Sequence, residues 1–296
     1  MLIYAHLLPG ITNVTDRARY FSFYTWLIWS FHQRFSGDDR TRFVEVFRRA
    51  DCLFTLIAAR HDLPGVEPAV HGGATAGTQK LNRAARQLGP DASIWLDDHA
   101  TMIEGGDARY FKNELGGYGQ YYAGTLMNLG LLDGAKFPNA EPFGAALAES
   151  FASSVPGDEF WDVVQRGLVS AADLEHLKPF CPCHLSKAER ERNALLDIFF
   201  DLSDRYGQEG VQRKASLALL LHAAQALDER PGEDLNIKTF RAAAYTRTLP
   251  GKLEWRPPPA LESTAQHWAC YVRSDTLSIV MLEAFAIALE DLTLDQ

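Results

Sequence analysis

GGYGQYYAGTLMNLGLL, residues 116–132, is the stretch on which the fold turns. Its second half has helical spacing. It runs into DGAKFPNAEPFGAALAESF, residues 133–151, where Asp133-Gly134 signals a tight turn and Phe143-Gly144 enters another helix. Two readings compete: a helix that reads nucleic acid ahead of a hairpin, or a piece of helical core. Between Glu114 and Lys136 there is no Lys or Arg, and Asp133 is the single charge. Base edges in the major groove are read mostly by Arg, Lys, Asn and Gln, and this helix offers Gln120 and Asn128 beside Tyr118, Tyr121 and Tyr122. Glycines at 116, 117, 119 and 124 also weaken it as an isolated helix.

Helix, Leu-Gly-Leu-Leu, Asp-Gly turn, Phe137-Pro138 and Phe143-Gly144, in that order, resemble the last third of a winged-helix domain. With QKLNRAARQL (79–88) as the preceding helix, the resemblance extends over residues 80–150. It implies a recognition helix, a short strand, a hairpin wing and a return strand leading into the next helix. Pro138 and Pro142 depart from the pattern, because proline is confined to edge or bulge positions of a strand. The hairpin is therefore expected to be short or irregular.

Working outward, helical periodicity dominates and strand alternation is almost absent. A first helix is expected from Thr12 or Asn13 to about Phe35; its YFSFYTWLIWSF run (20–31) is apolar on nearly all sides, as for a buried helix. A second is expected from about Arg40 to Arg60. The Gly- and Pro-rich residues 62–78 read as a loop. Further helices are expected near 91–104, 141–154, 157–167, 170–178, 187–206, 211–228, 234–245, 260–272 and 274–291. Ser170 with Asp173 and Ser186 with Glu189 have the spacing of capping boxes. Three prolines in RPPPAL (256–261) force an extended path. The fold class is mainly α, multi-helical, with an embedded winged-helix-like segment. SSVPGD divides it into an N-terminal region, 1–155, and a C-terminal helical domain, 156–296.

The chain has 296 residues and a net charge of −9. Residues 1–150 hold 14 Lys and Arg against 16 Asp and Glu, whereas residues 151–296 hold 15 against 22. An acidic chain does not coat nucleic acid, so any such contact is expected to be local and in the first half. The uncharged run at 20–31 is too short to span a bilayer, which takes about 20 residues. MLIYAHLLPG lacks a basic region and a small-residue cleavage site. With only four cysteines, reduced thiols and a cytoplasmic location are expected.

Several clusters are candidates for sites. HGGATAGTQK (71–80) leads into a helix N-terminus, where backbone N–H groups hold anions, but Thr78 follows Gly77 where a phosphate loop has lysine. Lys80, Arg83 and Arg86 then form a basic face and, with Gln120 and Lys136, make up the nucleic-acid or phosphate contact set. The bland alternative is a solvated surface. FCPCHLS (180–186) contains three zinc-competent ligands, Cys181, Cys183 and His184, and His267-x-x-Cys270 adds two on one helix face. The alternative there is a proline-stiffened turn with buried thiols. WLDDHATMIEGGD (95–107) groups Asp97, Asp98, His99, Glu104 and Asp107, a divalent-metal pattern or simply an acidic helix start. Of the aromatic run, Tyr20, Tyr24, Trp26 and Trp29 are candidates for a partner interface as well as for core.

No G-x-S-x-G or other catalytic signature is present. The leading expectation is a non-catalytic interaction or adaptor subunit of a larger cytoplasmic assembly. It has other protein subunits as partners, with nucleic-acid association and homo-oligomerisation open, no membrane, and zinc as the one cofactor in view. A bacterial nucleic-acid-processing or phage-defence system would suit such a subunit. The alternatives are a winged-helix DNA-binding regulator and a metal-dependent hydrolase.

Overall fold

A computed structural model describes residues 3–12, 14–15, 17–35, 39–61, 77–102, 109–134, 137–228 and 234–290. Helix dominates, and the described strands form three two-stranded antiparallel pairs. The chain divides into two compact units, one of residues 10–198 and one of residues 1–9 with 199–296. SSVPGD lies inside the first of these, between two of its helices.

Helix α1 (Ile3–Leu7) belongs to the smaller unit. The larger unit is built on α2 (Arg19–Arg34) and α3 (Arg40–His61), around which are arranged α4 (Thr78–Gln87), α5 (Leu96–Ala100), α6 (Ala123–Asn128), α7 (Pro142–Ala152), α8 (Gly157–Arg166), α9 (Ala171–His176) and most of α10 (Glu189–Phe200). Helix α2 starts later than the periodicity predicts, because Thr15 Oγ1 accepts from the Thr12 N–H and donates to the Thr12 carbonyl, closing a turn ahead of it. Its rings are the core: Phe23 stacks on Phe54 at 3.7 Å, Tyr20 on Tyr122 at 5.0 Å, and Trp26 packs against Phe151, Phe160 and Phe180. Near 91–104, strand β1 (Ser93–Trp95) comes first and only five helical residues follow; β1 pairs with β4 (Leu168–Ser170). The capping box at Ser170–Asp173 is formed, whereas Ser186 Oγ donates to the Cys183 carbonyl at 3.2 Å.

The smaller unit packs α1 with α11 (Gly207–Asp228), α12 (Ile237–Thr246) and α13 (Glu262–Glu290), together with the pair β5 (Thr248–Leu249) and β6 (Leu253–Glu254). Trp268 Nε1 donates to Ser216 Oγ, whose hydroxyl donates to the Leu7 carbonyl. Arg213 donates to the Phe199 and Pro9 carbonyls at 3.1 Å each. The two helices expected over 260–291 are one continuous helix. Near the expected break, Thr276 and Ser278 hydroxyls donate back to the Val272 and Ser274 carbonyls, so these side chains satisfy themselves within the helix.

Candidate functional site

Two buried side chains of α3 set the backbone around the 116–132 stretch. Arg48 donates to the carbonyls of Ala100, Thr101, Phe111 and Asn113. Asp51, fully buried, accepts from Tyr24 Oη at 2.8 Å, Tyr110 Oη at 2.7 Å and the Gly117 N–H at 2.9 Å. Burial raises the Asp51 carboxyl above its ordinary range, against the pull of those hydrogen bonds. Gly116 has φ +56°, and a Cβ there would lie 2.1 Å from Asp51 Oδ2. The glycine is thus required by a buried network. One turn of π-helix (Tyr118–Tyr122) comes next and leads into α6, with Tyr118, Tyr122 and Leu126 at most 2% exposed. The outward stripe is Gln120, Gly124 and Asn128, and it bears no cation. After it, strand β2 (Leu132–Asp133) pairs with β3 (Asn139–Ala140), a hairpin only two residues deep, as the flanking prolines predict. Lys136, Glu104, Asp107 and most of the 71–80 loop lie outside the described residues.

The basic face of α4 exists: Lys80, Arg83 and Arg86 are exposed, opposite buried Leu81, Ala85 and Leu88. Among the aromatic candidates, Tyr20, Tyr24 and Trp26 are enclosed by the chain itself, and only Trp29 is partly exposed. Asp97 is gripped by Arg49 through Nε–Oδ1 and Nη2–Oδ2 contacts of 2.5 and 2.7 Å, so its carboxylate is already paired.

The longest run of exposed large apolar side chains among the described residues is at the end of α13. Ala265, Trp268 and Val272 bury its first turns, and Arg241 holds Asp275 at 2.5 Å. From residue 276 to 290 every side chain is exposed, including Leu277, Ile279, Val280, Met281, Leu282, Phe285, Ile287 and Leu289 at 48–68%. At about 100° per residue, these cover nearly the whole circumference, and Glu283 and Glu290 share the one narrow acidic strip.

The CPCH turn is the most chemically organised cluster. Arg19 and Glu191 form a buried ion pair, with Nη2–Oε2 at 3.1 Å, and Ser22 Oγ donates to the same carboxylate. Arg19 Nη1 also donates to the carbonyls of Pro179 and Cys181 at 2.7 and 2.6 Å, which pins the turn from both sides of Phe180. Pro182 opens a 3₁₀ turn in which the His184 N–H donates to the Cys181 carbonyl at 2.9 Å. Into this turn points a residue that spacing cannot reveal, since it lies 120 positions upstream: His61, the last residue of α3. Its Nδ1 is 3.2 Å from Cys181 Sγ and 3.3 Å from Cys183 Sγ, and the sulfurs are 3.6 Å apart. The Cys183 thiol is pulled down to about 6, first by its hydrogen bond with Cys181 and then by His61 and Arg19; the Cys181 thiol is pushed up in turn. Burial, reinforced by Lys187 and Arg19, lowers His184 to about 4, and its buried Nε2 has no hydrogen-bond partner. His267 and Cys270 sit on exposed positions of α13 in the smaller unit, beside His6 and Gln212.

Comparison with protein-family models, curated proteins and solved structures finds no match for this chain. No described helix is long and apolar enough to cross a membrane.

Proposed function

We propose that this protein is a non-catalytic interaction subunit that docks by inserting the outer half of α13 into an apolar groove of a different protein. The single observation behind this reading is the bare run of residues 276–290, apolar around almost its entire girth. One helix of a second copy would cover only one side of it. A deep groove covers more of the circumference than one helix can, a fuller enclosure than the one-faced helix-in-groove mode. The acidic strip of Glu283 and Glu290 calls for basic residues at the groove's rim. It also disfavours anionic lipid, because interfacial helices carry Lys and Arg on their polar face.

The test is purification of the native assembly with the wild-type chain and with a Leu282→Asp/Phe285→Asp double variant. A stoichiometric partner lost only from the variant supports the reading. A partner that the variant retains, or assembly of wild-type chain with itself alone, overturns it.

The exposed basic face of α4 favours a second reading, a local contact with nucleic-acid phosphate made by Lys80, Arg83 and Arg86. Duplex binding that weakens steeply with salt and is abolished by Arg83→Ala with Arg86→Ala supports it; salt-independent binding, or none, removes it.

A further inference from the structure

We propose that His61, Cys181, Cys183 and His184 form a structural zinc site that ties the end of α3 to the CPCH turn. The site is independent of how α13 is used, and the placement of three mutually close ligand atoms, with the Cys181 sulfur beside two of them, defines it. With Zn–S near 2.3 Å and Zn–N near 2.0–2.1 Å, tetrahedral ligation sets neighbouring sulfurs about 3.8 Å apart and sulfur and nitrogen about 3.5 Å apart. The observed edges are 3.6 Å between the sulfurs and 3.2 and 3.3 Å from them to His61 Nδ1. Three donors thus already outline one face of a tetrahedron of nearly that size.

His184 supplies the fourth vertex. The ligand atoms of His61, Cys183 and His184 lie within 4.8 Å of one another; Cys181 adjoins this group through His61 and Cys183, so a shift of the turn brings its sulfur toward His184 as the ion binds. His184 Nε2 is buried without a hydrogen-bond partner, a cost to folding unless something else engages it. A metal ion engages its lone pair directly.

The local sequence fits this use. C-P-C is tighter than a C-x2-C knuckle, but Cys181 and His184 are themselves at x2 spacing, and a 3₁₀ turn brings residues i and i+3 to one side. Arg19 fixes the turn's backbone by its hydrogen bonds to Pro179 and Cys181, the outer-shell support that ligating groups require. Two sulfurs with two imidazole nitrogens select zinc over hard cations such as magnesium or calcium. Four protein donors leave no open position, so the ion's role is structural.

Such a site joins two segments far apart in sequence, one of which ends where residues 62–76, outside the described set, begin. Because His61 joins the site only in the folded chain, metal binding and folding are coupled.

The experiment is metal analysis of untagged full-length protein, with reconstitution of chelator-stripped protein by Zn²⁺ or Co²⁺ alone. Expected are about one zinc per chain, tetrahedral Co²⁺ bands with sulfur-to-metal charge transfer, and a lower unfolding temperature after stripping that zinc restores. Cys183→Ser and His61→Ala are each expected to lose most of the metal, while His267→Ala with Cys270→Ser keeps all of it. Should the first two variants fail to fold, His184→Ala, which removes a ring whose buried Nε2 has no hydrogen-bond partner, carries the same test. Zinc absent from folded protein and not taken up on addition overturns the site, as does uptake undiminished by these substitutions. A mass two hydrogens lighter, reporting a Cys181–Cys183 disulfide in metal-free protein, overturns it in favour of a redox pair.

Discussion

Helix α2 and the outer half of α13 carry comparable apolar runs, YFSFYTWLIWSF at 20–31 and LSIVMLEAFAIAL at 277–289, and their fates are opposite. The first is enclosed by the chain's own rings, with Phe23, Tyr24, Leu27 and Ile28 at 0% exposure. In the second every described side chain is exposed, the large apolar ones at 48–68%. Hydrophobicity all round a helix therefore says that the helix is to be buried, and leaves open by whom. In α2 the demand is met by folding, and in α13, on the docking role proposed above, it is met by association. The bare turns remain helical because packed turns before Asp275 supply the nucleus that an isolated segment of that length would lack.

Substitutions sharpen this contrast, and the largest effect belongs to the electrostatic anchor of α2. Glu191→Ala leaves Arg19 charged and buried at 1% exposure, so a loss of about 3–5 kcal/mol in denaturant unfolding is expected. Phe23→Ala, removing a ring stacked at 3.7 Å on Phe54, is expected to cost about 3–5 kcal/mol in the same assay. Phe285→Ala, the same chemical change on the bare run, is expected to stay within about 0.5 kcal/mol. Equal costs at 23 and 285 would break the comparison.

A smaller effect is expected with pH. The folded pKa of Asp51 is raised, so the folded chain holds a proton that the unfolded chain has released. Stability contributed by Asp51 is thus fully present below the ordinary carboxyl range and is lost as pH rises through the raised value. Relative to wild type, Asp51→Asn should remove that decline, read as the difference between two stability–pH curves. Identical slopes would show that Asp51 titrates as it does in the unfolded chain.

Much of the architecture is legible from residue order. The mainly α class, the Ser170–Asp173 box, the shallow hairpin beside Pro138 and Pro142, and the extended path through Pro257 and Pro258 all derive from local periodicity and backbone chemistry; the third proline, Pro259, instead opens a 3₁₀ turn, whose first position suits its fixed φ. The features that escape are non-local. Gly116 is legible only as a helix-weakening residue, whereas its physical reason is a contact with Asp51, 65 positions upstream. His61 carries no motif, because its partners in the CPCH turn are brought to it by α3 and by the Arg19–Glu191 pair. Likewise, residue order predicts helix over most of 260–291, and only packing shows that its burial stops at Val272.

Hydrogen exchange on the full chain, alone and within its purified assembly, tests the docking role of α13 most directly. Rapid exchange of amides 276–290 is expected in the free protein and marked slowing when the partner is bound, with α2 equally protected in both. Unchanged exchange over 276–290 in the assembly, with new protection elsewhere, would contradict it.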